Sequence, residues 1–176
     1  MLMLHIGCGE TYFDGWINID IDSDISDLNH DVRKSLPYED NSADFIYHEH
    51  FIEHLTSEEG VVFLKETHRI LKKNGIMRIA TPDLDYIVFR YIYRWKHQAW
   101  IKVYGYSHIQ TRAEMMNICF RDWGHQYLYN KEELDRRLRE SGFKKIYKQK
   151  FNKSKYPELR NRETRRDSRL IFEAEK

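Results

Sequence analysis

The stretch "YHEHFIEHL", Tyr47 to Leu55, sets His48, His50 and His54 among Glu49 and Glu53. Side chains of these types ligate divalent cations, move protons or shape a polar pocket. A zinc-hydrolase helix carries His-Glu-x-x-His. Here His48-Glu49 is followed by isoleucine where the second histidine belongs, and His50, four residues before His54, is followed by Phe51. His50 and His54 share a face only if a helix already runs through them, whereas the helix-start signal comes later, at Thr56. No metal site is expected from this spacing. Two readings stay open for His50 and His54. One is a general base, which an imidazole of ordinary pKa near 6.5 suits; the other is a loop histidine that satisfies nearby backbone groups.

A second group lies earlier. Gly7-Cys8-Gly9 follows the apolar run "LMLHI", and Asp20 ends the alternating run "WINIDI". Glycines at a strand end let the backbone turn tightly and approach a ligand closely. An acid at the end of the neighbouring strand can accept the hydroxyl hydrogens of a ribose. Together they specify an adenosine-type cofactor. A dinucleotide needs a third glycine and a helix N-terminus for its pyrophosphate, but position 12 is Tyr12 and little chain separates Gly9 from Ile17. A cofactor without phosphates fits better, and S-adenosylmethionine is the common one.

These residues need elements to hold them. Strands are predicted at Leu2–Ile6, Trp16–Ile21, weakly in "SDLNHDV", at Ala43–His48 and in "GIMRIATP". Thr56 with Glu59 forms a capping box for a helix that Lys72, Lys73 and Gly75 are expected to close. A helix from Asp83 to about Lys96, a second over Lys131–Ser141 capped by Gly142, and two late strands, "FKKIYKQKF" and "SRLIFEAEK", complete the chain. Strands alternating with helices predict an α/β, mostly parallel sheet with an antiparallel C-terminal pair and a shortened first crossover.

One domain is expected for 176 residues. No apolar run approaches the roughly 18 to 20 residues that span a bilayer. "MLMLHIGCG" lacks a basic leader, and the two cysteines offer no disulfide framework, so a cytoplasmic location is expected. The net charge of +1 hides an asymmetry: residues 1–85 hold 7 basic and 17 acidic side chains, the rest 22 and 11. A basic half can face an anionic partner or complement the acidic half within the fold.

The fragments "LHIGCG", "NIDID", "HDVRKSLPYEDNSADFIYHEHFIEHL", "FLKETHRILKKNGIMRIATPDL" and the late "SGF" stand in one order. In that order the chain resembles the class I S-adenosylmethionine-dependent methyltransferases, in particular their small type 11 group. The resemblance implies a Rossmann-like sheet and this cofactor. Gly7, Cys8 and Gly9 would line its methionine end, Asp20 would hold the ribose, and Asp31 would meet the adenine amino group with Val32 beside the ring. The backbone of His48 and Glu49 would border the sulfonium. It also implies a role at the cleft mouth for His125, which precedes the late helix.

Methyl transfer is an in-line displacement that depends mainly on alignment, and a base is needed when the acceptor is a hydroxyl or protonated amine. The acceptor side is expected in an insertion at about 86–129, which has 12 aromatic, six basic and two acidic residues. Tyr86, Phe89, Tyr93 and Trp100 fall near one helical stripe there, which either contacts an acceptor or packs as core. The expected acceptor is a small molecule, anionic or sugar-like, with sugars, nucleotide-sugars and glycan precursors first. RNA is the alternative acceptor, though no RNA-binding module is visible. A non-catalytic cofactor-binding protein is the alternative class, and an aromatic-rich insertion leaves room for a homodimer.

Overall fold

Short apolar runs pair in parallel because each is buried on both faces. In the computed structural model, which describes residues 1–176, β1 (Met3–Ile6) lies between β2 (Ile17–Asp20) and β4 (Ala43–Glu49). β3 (Leu28–Asn29) pairs with the outer side of β2, and β5 (Leu71–Thr81) with β4. β7 (Leu170–Glu175) runs antiparallel to β5, and β6 (Lys145–Lys148) antiparallel to β7. The order is β3-β2-β1-β4-β5-β7-β6. This is the expected mixed sheet, and its parallel half brings the carboxyl ends of β1, β2 and β4 to one edge.

Alternation along the strands divides the core. Leu4, Ile6, Ile46, Met77 and Ile79 pack with Phe63 and Leu64 of α1 (Ser57–Ile70) and with Leu134 and Leu138 of α5 (Lys131–Glu140). Tyr47 and Ile76 face the other way, with Phe13, Trp16 and Leu159. No helix covers that second face near β1 and β2. The segment between the two late strands, which reads as charged and turn-like over 152–167, covers it: Leu159 is fully buried, and the Arg162 guanidinium lies 4.7 Å from the Phe13 ring centre and 5.2 Å from that of Trp16.

The first crossover has no helix, as expected, and buried Asn18 explains how it closes. Its Oδ1 accepts from Phe13 N at 2.9 Å, and its Nδ2 donates to the carbonyls of Phe13 and Trp16. Phe13 then stacks on His5 at 4.1 Å. One side chain thus satisfies the loop backbone that a helix would have satisfied internally.

Two expected boundaries shift. The Thr56–Glu59 capping box forms, but α1 stops at Ile70, not at Lys72–Gly75. Leu71 is already extended and pairs with Ala43; the register then jumps to Phe45 opposite Ile76, so residues 72–75 bulge out of β5. Gly75 serves this bulge, since a Cβ there would lie 2.9 Å from the Lys72 carbonyl oxygen. The helix capped by Asp83 is α2 (Leu84–Ile92), shorter than expected, and Trp100 belongs to a separate short helix, α3 (Ala99–Val103). The aromatic stripe therefore breaks up: Phe89 and Tyr93 are exposed, while Trp100 joins Ile87, Ile101, Ile109, Met115 and Cys119 in a second small core. Met115 and Cys119 come from α4 (Arg112–Arg121). No helix is long and apolar enough to cross a membrane.

Candidate active site

The loop after β1 is shaped by two glycines in the left-handed region. Gly7 has φ +66° and donates to the Ile19 carbonyl at 2.8 Å; a Cβ there would lie 2.4 Å from Phe51, so no larger residue fits. Gly9 has φ +52°, and its absent Cβ would meet nothing within 4 Å. Its N–H donates to Asp20 Oδ2 at 2.8 Å, while Asp22 N donates to Oδ1 at 2.9 Å. Each Asp20 oxygen thus has one donor and keeps acceptor capacity for a ribose.

A cavity of about 730 Å³ opens at this edge. It is lined by Gly7, Cys8, Gly9 and Asp20, by Tyr47, Glu49 and His50, and by Trp100, Tyr104, Trp123 and His125. A recess of about 270 Å³ shares Gly7, Asp20 and His54 and adds Asp31 and Val32. Arg33 holds the Asp31 carboxylate with two bonds, at 2.8 and 2.9 Å, and lowers its pKa. Open space over Gly9, a strand-end carboxylate with free lone pairs and an adjoining recess together suit an adenosine with an amino-acid arm. S-adenosylmethionine fits the residues present.

His48 turns its side chain away from the cavity. Its imidazole is fully buried on the helical side between Phe51 and Phe63, and neither ring nitrogen has a hydrogen-bond partner. Burial lowers its pKa to about 3, so the ring is neutral packing and lends the cavity no side chain. Cys8 is buried at the cavity wall, and that burial raises its thiol pKa.

Glu49 has an unexpected role. Its carboxylate accepts from Thr164 N and Oγ1 at 2.8 Å each, from Arg165 N at 3.2 Å and from Ser168 Oγ at 2.6 Å. It ties the C-terminal segment across the cavity, where Thr164, Arg165 and Asp167 add to the lining. Four bonds to one carboxylate predict that Glu49→Ala frees this segment. Trypsin is expected to cut after Arg165 or Arg166 at least about tenfold faster, since bonds to charged groups contribute about 1.5–3 kcal/mol each. An unchanged cleavage rate would show that the tether is not needed.

The remaining histidines converge. His50 Nδ1 lies 3.2 Å from Glu53 Oε1, close but poorly aligned for a hydrogen bond. Burial favours neutral forms of both, yet their mutual attraction outweighs it: His50 is raised, and Glu53 falls to about 2. Thr81 Oγ1 donates to Glu53 Oε2 at 2.9 Å. His54, in a one-turn 3-10 helix at Ile52–His54, packs edge-on against His125 with ring centres 5.2 Å apart. Burial lowers the His54 pKa. The backbone couples the two segments as well, because the Glu53 carbonyl accepts from Gln126 N and Tyr127 N.

Of the expected residues, Gly7, Cys8, Gly9, Asp20, Glu49, His50, His54 and His125 line one cavity, and Asp31 and Val32 its recess. Sequence reading missed Glu53, Trp123 and the 164–168 segment. Glu53 stands in the opening stretch, three residues after His50, and that spacing was its signal. The segment had none, since its residues reach the site only through Glu49 and the sheet.

The methyltransferase-domain family model of type 11 matches residues 20–79. No curated protein matches the sequence. Among solved structures, an S-adenosylmethionine-dependent methyltransferase from Archaeoglobus fulgidus superposes with a TM-score of 0.62 at 17% identity, covering 99% of this chain and 85% of that one. A possible histamine N-methyltransferase from Thermotoga maritima gives 0.61 at 18%, covering 99% and 82%. A methyltransferase from Mesorhizobium loti gives 0.59 at 14%, covering 99% and 90%. At such identities these likenesses show the fold. The domain match adds sequence similarity over the stretch that carries Asp20, Asp31 and the histidines, and the fold is that of S-adenosylmethionine-dependent methyltransferases.

Proposed function

We propose that the chain methylates a small-molecule acceptor of the sugar or nucleotide-sugar class, and that His50, His54 and His125 stand where transfer occurs. One observation carries this reading: a single cavity is lined by Gly7, Gly9 and Asp20, by Trp100, Tyr104 and Trp123, and by His50, His54 and His125. S-adenosylmethionine, when bound, supplies an electrophilic methyl on a sulfonium. The chain's residues do the rest by holding and aligning. Gly7, Gly9 and Asp20 fix the donor end, while Trp100, Tyr104 and Trp123, packed edge to face, offer apolar walls on which a sugar ring or base stacks. Arg165 at the same cavity supplies a cation for an anionic acceptor.

RNA is less well supported, because much of the C-terminal positive charge is already paired. Arg136 and Arg137 bond Glu133, Arg139 bonds Asp135, and Lys145 bonds Glu175. Two buried cysteines, both free, suit a reducing cytoplasm. Exposed Val88, Phe89, Ile92 and Tyr93 on and beside α2 favour a homodimer, which sedimentation at micromolar concentration checks.

A tritiated-methyl screen over monosaccharides, nucleotide-sugars, short RNAs and proteins tests the acceptor. Label is expected on a sugar-class hydroxyl or amine, falling at least about fivefold in Trp123→Ala if stacking there contributes about 1 to 3 kcal/mol. Label on RNA alone would transfer the reading to the alternative acceptor. Tight donor binding with no transfer to any class would favour the non-catalytic reading.

A further inference from the structure

The ligand atoms of Glu53, His54 and His125 lie within 4.8 Å of one another, and His54 and His125 line the cavity. Neighbouring groups prepare each of them. His125 Nδ1 lies 2.8 Å from the Cys119 carbonyl oxygen, which only accepts, so Nδ1 carries the proton and Nε2 keeps its lone pair. Such a carbonyl bond is the usual support of a metal-bound histidine. Glu53 is fully buried; Thr81 fixes its Oε2, and its Oε1 faces His50 Nδ1 at 3.2 Å without an aligned hydrogen bond. The His54 ring is bound by no protein hydrogen bond and stands at the cavity wall. A buried carboxylate without an aligned hydrogen bond on Oε1, beside two imidazoles, is a donor set in which a metal ion would take the place of the His50 contact.

We propose that Glu53, His54 and His125 bind a divalent transition metal of the zinc class, with its open coordination position facing the cavity. Two histidines and one glutamate are a donor set for catalytic zinc, and three protein ligands leave a position free. Tetrahedral ligands about 2.1 Å from zinc stand roughly 3.4 Å apart, so the three draw in by about 1 Å through small side-chain rotations. Spacing along the sequence hides the site because His125 comes from far along the chain, held against His54 by the Gln126 and Tyr127 backbone bonds to Glu53. That the free position takes an acceptor oxygen or nitrogen rests on the methyl-transfer reading; metal binding itself does not.

Chelator-stripped full-length protein is dialysed against micromolar zinc and measured by elemental analysis, with cobalt absorption as a second readout. One zinc per chain is expected, with tetrahedral-type cobalt bands. His54→Ala, His125→Ala and Glu53→Gln should each weaken binding by more than the roughly 10- to 100-fold that loss of a supporting hydrogen bond costs. His97→Ala, at an exposed residue, should leave it unchanged. Circular dichroism and thermal unfolding of the same metal-free samples show that each variant is folded, and S-adenosylmethionine binding is measured separately. Less than a tenth of a zinc per folded wild-type chain, or undiminished binding in both histidine variants, overturns the proposal. Stoichiometric zinc without donor binding would instead leave the metal site standing and remove the methyl-transfer reading.

Discussion

Replacing Asp20 by alanine is expected to weaken S-adenosylmethionine binding by about 100-fold or more while the chain stays folded. The carboxylate stands at the carboxyl end of β2 and already accepts from Gly9 N and Asp22 N. On the proposed reading, its free lone pairs would accept from two ribose hydroxyls. Hydrogen bonds to a charged group contribute about 1.5–3 kcal/mol each, and about 3 kcal/mol is a little over 100-fold in Kd. Alanine also releases the Gly9 N–H, so the loop that shapes the methionine end loses its anchor. Asn at position 20 keeps one acceptor oxygen and should cost less, near tenfold. Calorimetry with S-adenosylmethionine and its demethylated product measures both variants. A Kd within threefold of wild type for Asp20→Ala would show that the ribose is held elsewhere.

Asp20 was legible because it follows a strand of alternating residues and because two glycines end the strand beside it. The same holds for the Thr56 capping box and for the late antiparallel pair. These features are local: the residues that make them are neighbours in the chain. What was not legible depends on distant partners. Gly75 reads as a helix cap by composition, but pairing of Leu71 with Ala43 draws the chain into β5 first, and the glycine serves a bulge. His48 reads as part of a polar cluster, yet strand alternation turns its ring to the helical side while Tyr47 and Glu49 face the cavity. Residues 152–167 read as a charged turn because their charges dominate. Most of them are exposed or half-buried, but Leu159 and Glu163 are buried by partners such as Ile76 and Arg78 on β5, which no short window contains.

Arg78 shows how far such a partner reaches, and Arg78→Met is expected to be among the most destabilising single changes in the chain. The side chain is fully buried, and all five of its N–H donors are used. Nε and Nη2 bond Glu163, Nη1 bonds Glu173 and the Lys153 carbonyl, and Nη2 also bonds the Lys150 carbonyl. Breaking a buried ion pair by removing one partner costs about 3–5 kcal/mol, because the remaining charge has no compensation. Here two carboxylates are stranded, so a loss at the upper end, near 5 kcal/mol, is expected in urea unfolding. At about 2–4 °C per kcal/mol for a chain of this size, Tm should fall by roughly 10 °C or more. Adding Glu163→Gln and Glu173→Gln removes the stranded charges and should restore more than half of the loss. Failure of that rescue would mean that packing, not charge, sets the cost. The effect should also reach the cavity, because Glu163 immediately precedes Thr164, whose N–H and hydroxyl bond Glu49 at the cavity wall. Below its own melting transition, Arg78→Met should therefore bind S-adenosylmethionine more weakly and lose the 164–168 segment to trypsin faster than wild type. Normal binding and proteolysis in the folded variant would separate the two roles and confine Arg78 to stability.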